Sequence, residues 1–100
     1  MIVDFDSIPF VLKILLADDD KDDCQFFNDC LKELPFKTNF KSVHDGDQLM
    51  DYLNIEDKLP DVIFLDLNMP RKNGFECLAE LKLNKKFKQI PVIIFPRLLN

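Results

Sequence analysis

Apolar and polar positions follow two rhythms along this chain. Residues 11–17 form a nearly continuous apolar run, rich in Ile, Leu and Val, that stops abruptly at Asp18, Asp19 and Asp20. A run fit for burial on both faces is what a strand of a parallel sheet requires, so a first strand is expected there. Over residues 22–34 the spacing changes. Phe27, Cys30, Leu31 and Leu34 recur at i, i+3, i+4 and i+7, which predicts one apolar face of an amphipathic helix ending before Pro35. Residues 38–43 give a second, weaker strand. Asp45-Gly46 then turns the chain into a helix carrying Leu49, Met50, Tyr52 and Leu53, with Asp45 as its expected N-cap. Leu59-Pro60 stops that segment, and Val62-Ile63-Phe64-Leu65 is a third apolar run ending at Asp66. Past a loop with Pro70, Asn73 and Gly74, helical spacing resumes over residues 75–83 through Phe75, Leu78 and Leu81. Pro91 opens Val92-Ile93-Ile94-Phe95, read as a fourth buried strand. Strand and helix alternate throughout, so the expected architecture is α/β: a doubly wound parallel sheet with right-handed crossovers.

Composition narrows this to one small domain, since 100 residues with 47% hydrophobic and 31% charged content seldom divide into two cores. A formal net charge of -5 argues against nucleic acid as a partner, because no basic stripe is available to displace counterions. Lys82, Lys85, Lys86 and Lys88, with Asn84 and Gln89, are expected to be the solvated end of a helix and its loop. Cys24, Cys30 and Cys77 are odd in number and have no metal-ligand spacing, which fits reduced thiols in a cytoplasmic setting. Cys24 and Cys30 lie six apart on a helix and point to different faces, so no bridge between them is expected. Asp4 and Asp6 near the start, and Lys13 inside the first apolar run, fit neither a signal peptide nor a membrane span. His44, beside an expected turn, is read as structural or solvated, with no Cys or Ser partner that the sequence places near it.

The candidate chemistry is at the strand ends. In open parallel sheets ligands bind beyond the carboxyl ends of the strands, at the switch point of the topology. With a strand order 2-1-3-4, Asp18 and Asp19 at the end of the first strand face Asp66 at the end of the third. Carboxylates so placed repel unless a cation joins them, and an all-oxygen set of this kind suits Mg2+. Asp22 and Asp23 have a plainer role, as negative charge at a helix N-terminus.

The motifs Lys13-Ile14-Leu15-Leu16-Ala17-Asp18-Asp19-Asp20, Asp45-Gly46, Asp61-Val62-Ile63-Phe64-Leu65-Asp66-Leu67-Asn68-Met69-Pro70, Asn73-Gly74 and Ile90-Pro91-Val92-Ile93 occur in this order. Together they resemble the signature of response-regulator receiver domains of two-component signal transduction. The resemblance implies a flavodoxin-like sheet in the order 2-1-3-4 over residues 13–95. Residues 1–12 would be an N-terminal extension running into the first strand, and residues 96–100 a divergent tail. It further implies that Asp66 is the phosphoacceptor in a phosphorelay, taking a phosphoryl group from a histidine kinase or a histidine phosphotransfer protein. Asp18, Asp19, Asp66 and the backbone carbonyl of Asn68 would hold Mg2+. Met69 and Pro70 would shape the loop, Met69 mainly by packing, and Gly74 would supply an awkward backbone conformation before the third helix. On this reading the chain is a phosphoacceptor signalling domain rather than an enzyme, and no further cofactor is implied.

The family's pattern departs from this sequence at Pro96, which stands where a Ser or Thr is usual after the fourth strand. Asn100 comes before a fifth strand with its Lys-Pro pair. The expectation is a receiver fold lacking the fifth strand and last helices, in which transfer to Asp66 survives while the readout contacts do not. The fourth strand would then be an open apolar edge, available for a homodimer. Two alternatives compete. One is a receiver-like interaction module that is never phosphorylated. The other is an aspartyl-phosphate phosphatase resembling haloacid-dehalogenase-like hydrolases, disfavoured because Asn68 stands where that chemistry wants a second acid. No effector region follows, so a stand-alone receiver is expected, free of nucleic acid and membrane.

Overall fold

The computed structural model describes residues 11–95, so the expectations for residues 1–10 and 96–100 lie outside the described residues. The chain runs β1 (Leu12–Ala17), α1 (Lys21–Leu31), β2 (Thr38–Val43), α2 (Gly46–Ile55), β3 (Val62–Asp66), α3 (Gly74–Leu83) and β4 (Val92–Phe95). The four strands form one sheet in the order β2-β1-β3-β4, and each neighbouring pair is parallel. This is the flavodoxin-like order expected from the sequence.

Alternation along the strands divides the sheet into two faces. Leu15, Ala17, Ile63 and Leu65 point to one side, where Leu49, Met50 and Leu53 of α2 and Cys77 and Leu81 of α3 complete the main core. Phe64 and Leu16 point the other way. There Phe27 of α1 stacks on Phe40 with centroids 5.7 Å apart and meets Phe64 edge-on at 5.0 Å. At the start of β1 the apolar run admits Lys13, which is buried. Its Nζ donates to Glu56 Oε2 at 2.9 Å and to the Lys58 carbonyl at 2.5 Å, above the Tyr52 ring. Its backbone is tied to Asp61 in both directions, at 2.7 and 2.8 Å.

Four details of packing differ from the sequence expectation. α1 ends at Leu31, so Leu34 lies beyond it and is exposed. Cys30 is exposed as well, and the inward stripe runs Cys24, Phe27, Leu31. In α3 the inward positions are Gly74, Cys77, Leu78 and Leu81, an i, i+3, i+4, i+7 set that leaves Phe75 beside it and 66% exposed. β4 is not the fully buried strand that its apolar run alone suggests but the open edge expected of a sheet ending at the fourth strand: it is the outer strand, with Ile93 and Ile94 exposed on opposite faces. The lysines of residues 82–88 are exposed as expected, but Phe87 among them turns inward and, with Ile90, is buried in the core.

Candidate functional site

Parallel pairing of Ala17 with Leu65 brings the carboxyl ends of β1 and β3 level. The chain leaves β1 at Asp18, whose amide continues the ladder by donating to the Val43 carbonyl at 3.0 Å. Carboxylate oxygens of Asp18, Asp19 and Asp66 therefore lie within 4.8 Å of one another. Asp18 and Asp66 are buried and Asp19 is exposed, so the cluster opens to solvent on the Asp19 side. Each buried acid also organises the turn that follows it: Asp18 Oδ1 accepts from the Asp20 amide and Asp66 Oδ1 from the Asn68 amide, both at 2.9 Å. Asp20 belongs to the helix rather than the cluster. Its side chain is the N-cap of α1 and accepts from the amides of Asp22 and Asp23, the two acids of the first turn. Three carboxylates converging from two strands form an all-oxygen donor set, which fits a hard divalent cation of the Mg2+ type better than a soft metal.

Behind the cluster, the structure provides contacts that sequence reasoning missed. His44 Nδ1 lies 3.0 Å from the Asp18 carbonyl oxygen, and the Cys24 thiol donates to the same oxygen at 3.5 Å. Cys24 Sγ and His44 Nδ1 are themselves 3.9 Å apart, so His44 does have a cysteine neighbour. That neighbour is no nucleophile: burial first, and then the charge of Asp18, push the Cys24 thiol up to about 11. The signal for this pairing was weak, because it arises from α1 and β2 lying against each other across twenty residues.

The loop from Asp66 to α3 is held at several points. Met69 is buried in the core, as ordinary packing predicts. The Gly74 amide donates to the Leu67 carbonyl at 3.3 Å, and Asn73 and Glu76 close a capping box on α3. Gly74 does not have the unusual backbone expected of it. Among the described residues no glycine has positive φ, and the left-handed position is Arg71, at φ 62°. Gly74 is required by space instead: a Cβ there would sit 2.6 Å from the Asp66 carbonyl oxygen and from Leu67 Cα. Asp45 caps α2, its Oδ1 accepting from the Gln48 amide at 2.8 Å, while its Oδ2 lies 3.5 Å from Arg71 Nε. Gly46, next in line, is packed so closely that a Cβ would overlap the Lys72 carbonyl oxygen.

Comparison with known proteins gives a consistent result. A family model of the response regulator receiver domain matches residues 14–97. Response regulator Rcp1 of Synechocystis is 36% identical over 86 residues, covering 81% of this chain and 58% of that protein. The transcriptional regulatory protein CpxR of Escherichia coli is 39% identical over 84 residues, 82% of this chain and 32% of its own length. Among solved structures, the phosphorylated cyanobacterial phytochrome response regulator RcpA superposes with a TM-score of 0.83 at 35% identity, covering 91% of this chain and 69% of that one. The Mn(2+)-bound form of Rcp1 gives 0.81 at 34% identity, with 89% and 68% covered. The chain thus spans little more than half of Rcp1 and about a third of CpxR. With the sheet order, the acid cluster between the tips of β1 and β3 and these matches together, the chain belongs to the response regulator receiver domain family.

Proposed function

We propose that this chain is a phosphoacceptor in which Asp66 takes a phosphoryl group from a histidine kinase or a histidine phosphotransfer protein. The observation that carries the proposal is the convergence of Asp18, Asp19 and Asp66 within 4.8 Å at the tips of adjacent strands. In the step itself, a carboxylate oxygen of Asp66 attacks the phosphorus of a phosphohistidine. The new O–P bond forms as the N–P bond breaks, and the departing imidazole nitrogen keeps the bonding pair and gains a proton from water. Asp66 is fully buried on β3, and its second-neighbour amide holds Oδ1, so the attacking group is oriented before a donor arrives.

Asp18, Asp19, Asp66 and the backbone carbonyl of Asn68 would hold Mg2+, which when bound neutralises charge on the transferring group. Support comes from relatives crystallised in a phosphorylated state and with Mn2+, and from a 31% identical match over 80 residues, 80% of this chain, to one tenth of the sensor histidine kinase CheAY of Helicobacter pylori. The decisive experiment is incubation with acetyl phosphate and Mg2+ followed by intact-mass measurement. One phosphoryl increment, labile in base and absent from Asp66→Ala, is the expected result. An unmodified wild-type chain would instead favour the inert interaction module, the reading to which Pro96 lends weight by offering no hydroxyl. A second interaction is proposed for β4, whose exposed Ile93 and Ile94 make it a surface for a second copy of the chain.

A further inference from the structure

The loop that carries Asn68 is steered from outside its own crossover. Arg71 holds a left-handed backbone at φ 62°, a conformation that costs a non-glycine residue energy and persists only where surrounding contacts impose it. The contacts next to it come from the first turn of α2. Asp45 is buried and uses both carboxylate oxygens, Oδ1 on the Gln48 amide at 2.8 Å and Oδ2 toward Arg71 Nε at 3.5 Å. One residue on, Gly46 has no side chain, and the Lys72 carbonyl fills the space where its Cβ would stand. The start of α2 therefore presses directly on residues 71–72, three and four positions beyond Asn68. At the other end of the segment the Asn68 amide is bonded to Asp66 Oδ1 at 2.9 Å. Between these two fixed ends lie Met69, buried in the core, and Pro70, whose φ is restricted by its ring. A short segment pinned at both ends transmits a displacement at Arg71 to the Asn68 carbonyl.

We propose that Asp45 and Arg71 are a positioning pair for the phosphoacceptor loop, setting through the loop backbone where the Asn68 carbonyl stands relative to the three carboxylates. The inference rests on the reading of Asp66 as phosphoacceptor and adds two residues to it, neither of which touches the reacting atoms. An ion pair whose arginine is 72% exposed contributes little to global stability. Its effect is expected in loop position instead, where it opposes relaxation of the strained Arg71 backbone.

Asp45→Asn and Arg71→Gln separate the two roles, because asparagine caps a helix as well as aspartate does but removes the charge. The Mg2+ midpoint for acetyl-phosphate adduct formation should rise about two- to fivefold in each single variant and no further in the double variant. Thermal midpoints should move by less than about 5 °C. Arg71→Lys should recover part of the midpoint by restoring a cation. In the metal-free protein, the amide resonances of Leu67 and Asn68 should shift in Asp45→Asn, a readout independent of phosphorylation. Unchanged Mg2+ midpoints in both single variants, or additive effects in the double, overturn the proposal. If wild-type protein forms no adduct, the phosphoacceptor reading fails on its own, and the amide shifts decide: perturbation reaching Leu67 and Asn68 supports the positioning pair, and perturbation confined to α2 overturns it.

Discussion

The Cys77 thiol sits in the core between α2 and α3, and burial, opposed by Lys72 and aided by Glu80 and Glu76, raises its pKa from 9.0 to about 11. A thiol that keeps its proton in the folded state after the unfolded chain has released it stabilises the fold below the unfolded value. That contribution is lost as pH climbs through the folded one. Lys13 acts in the same direction: burial would lower its pKa, but the hydrogen bond and charge of Glu56, with Tyr52, more than compensate and raise it. Stability measured by urea titration should therefore be level up to about pH 9 and fall between about pH 9 and 11 as the Cys77 contribution is lost, whereas the Lys13 contribution stays in full up to its ordinary value of 10.5 and is lost only above it. A profile that stays flat through pH 11 would remove the Cys77 assignment. At this scale the sequence was most legible where a charge ends an apolar run, as at Asp18 and Asp66. It was least legible where a small residue owes its place to close packing. Cys24 offers no more bulk than Cys30 six residues on, and the helical set of Gly74, Cys77, Leu78 and Leu81 is masked by the large apolar Phe75 beside it.

Helices and strands were readable as units because each has its own period, yet their ends and faces were set by neighbours. α1 stops at Leu31 although the apolar spacing continues to Leu34, and α3 turns Phe75 outward because Gly74 must lie against β3. The contact of α3 with β3 gives the clearest test of element packing. Gly74→Ala adds a methyl that meets backbone atoms at 2.6 Å rather than a yielding side chain, so α3 must retreat from the loop after Asp66. The expected loss is about 1–3 kcal/mol of unfolding free energy, despite the higher helix propensity of alanine. An alanine variant as stable as the wild type would show that the helix has room which the packing denies. Asn73, the cap of the same helix, is a milder site, since its bond to the Glu76 amide is exposed.

For the molecule as a whole, the alternation of strands and helices was enough to specify the parallel sheet, while the order that makes the two acid-tipped strands neighbours came from the resemblance to receiver domains. What pattern alone did not convey was the unequal covering of the sheet. β2 and β4 are both outer strands, but β2 carries exposed Asn39 and Lys41, whereas β4 is uncharged along its length and shows Ile93 at 48% and Ile94 at 39% exposure. Charged side chains on an outer strand discourage pairing with another chain, and β4 has none. Antiparallel pairing of β4 with its counterpart would join two sheets about a twofold axis and close the assembly, whereas pairing β4 to β2 would not close. Sedimentation velocity at micromolar concentration should show a dimer that Ile93→Lys converts to a monomer. A wild-type protein that sediments as a monomer removes this surface from consideration. Among the described residues no helix is long and apolar enough to cross a membrane.

The lysine at the root of β1 has a consequence for how this domain tolerates change. Four residues, Ile14 to Ala17, separate Lys13, whose ammonium is clasped by Glu56 and Lys58, from Asp18 at the end of the strand, and every second one must face α2 and α3. Adding or removing one amino acid inside that span would reverse all the faces and shift one terminus away from its holdings. Variation in this rod is thereby confined to exchanges among apolar side chains of similar bulk. Its length behaves as a ruler between a tethered base and a working tip.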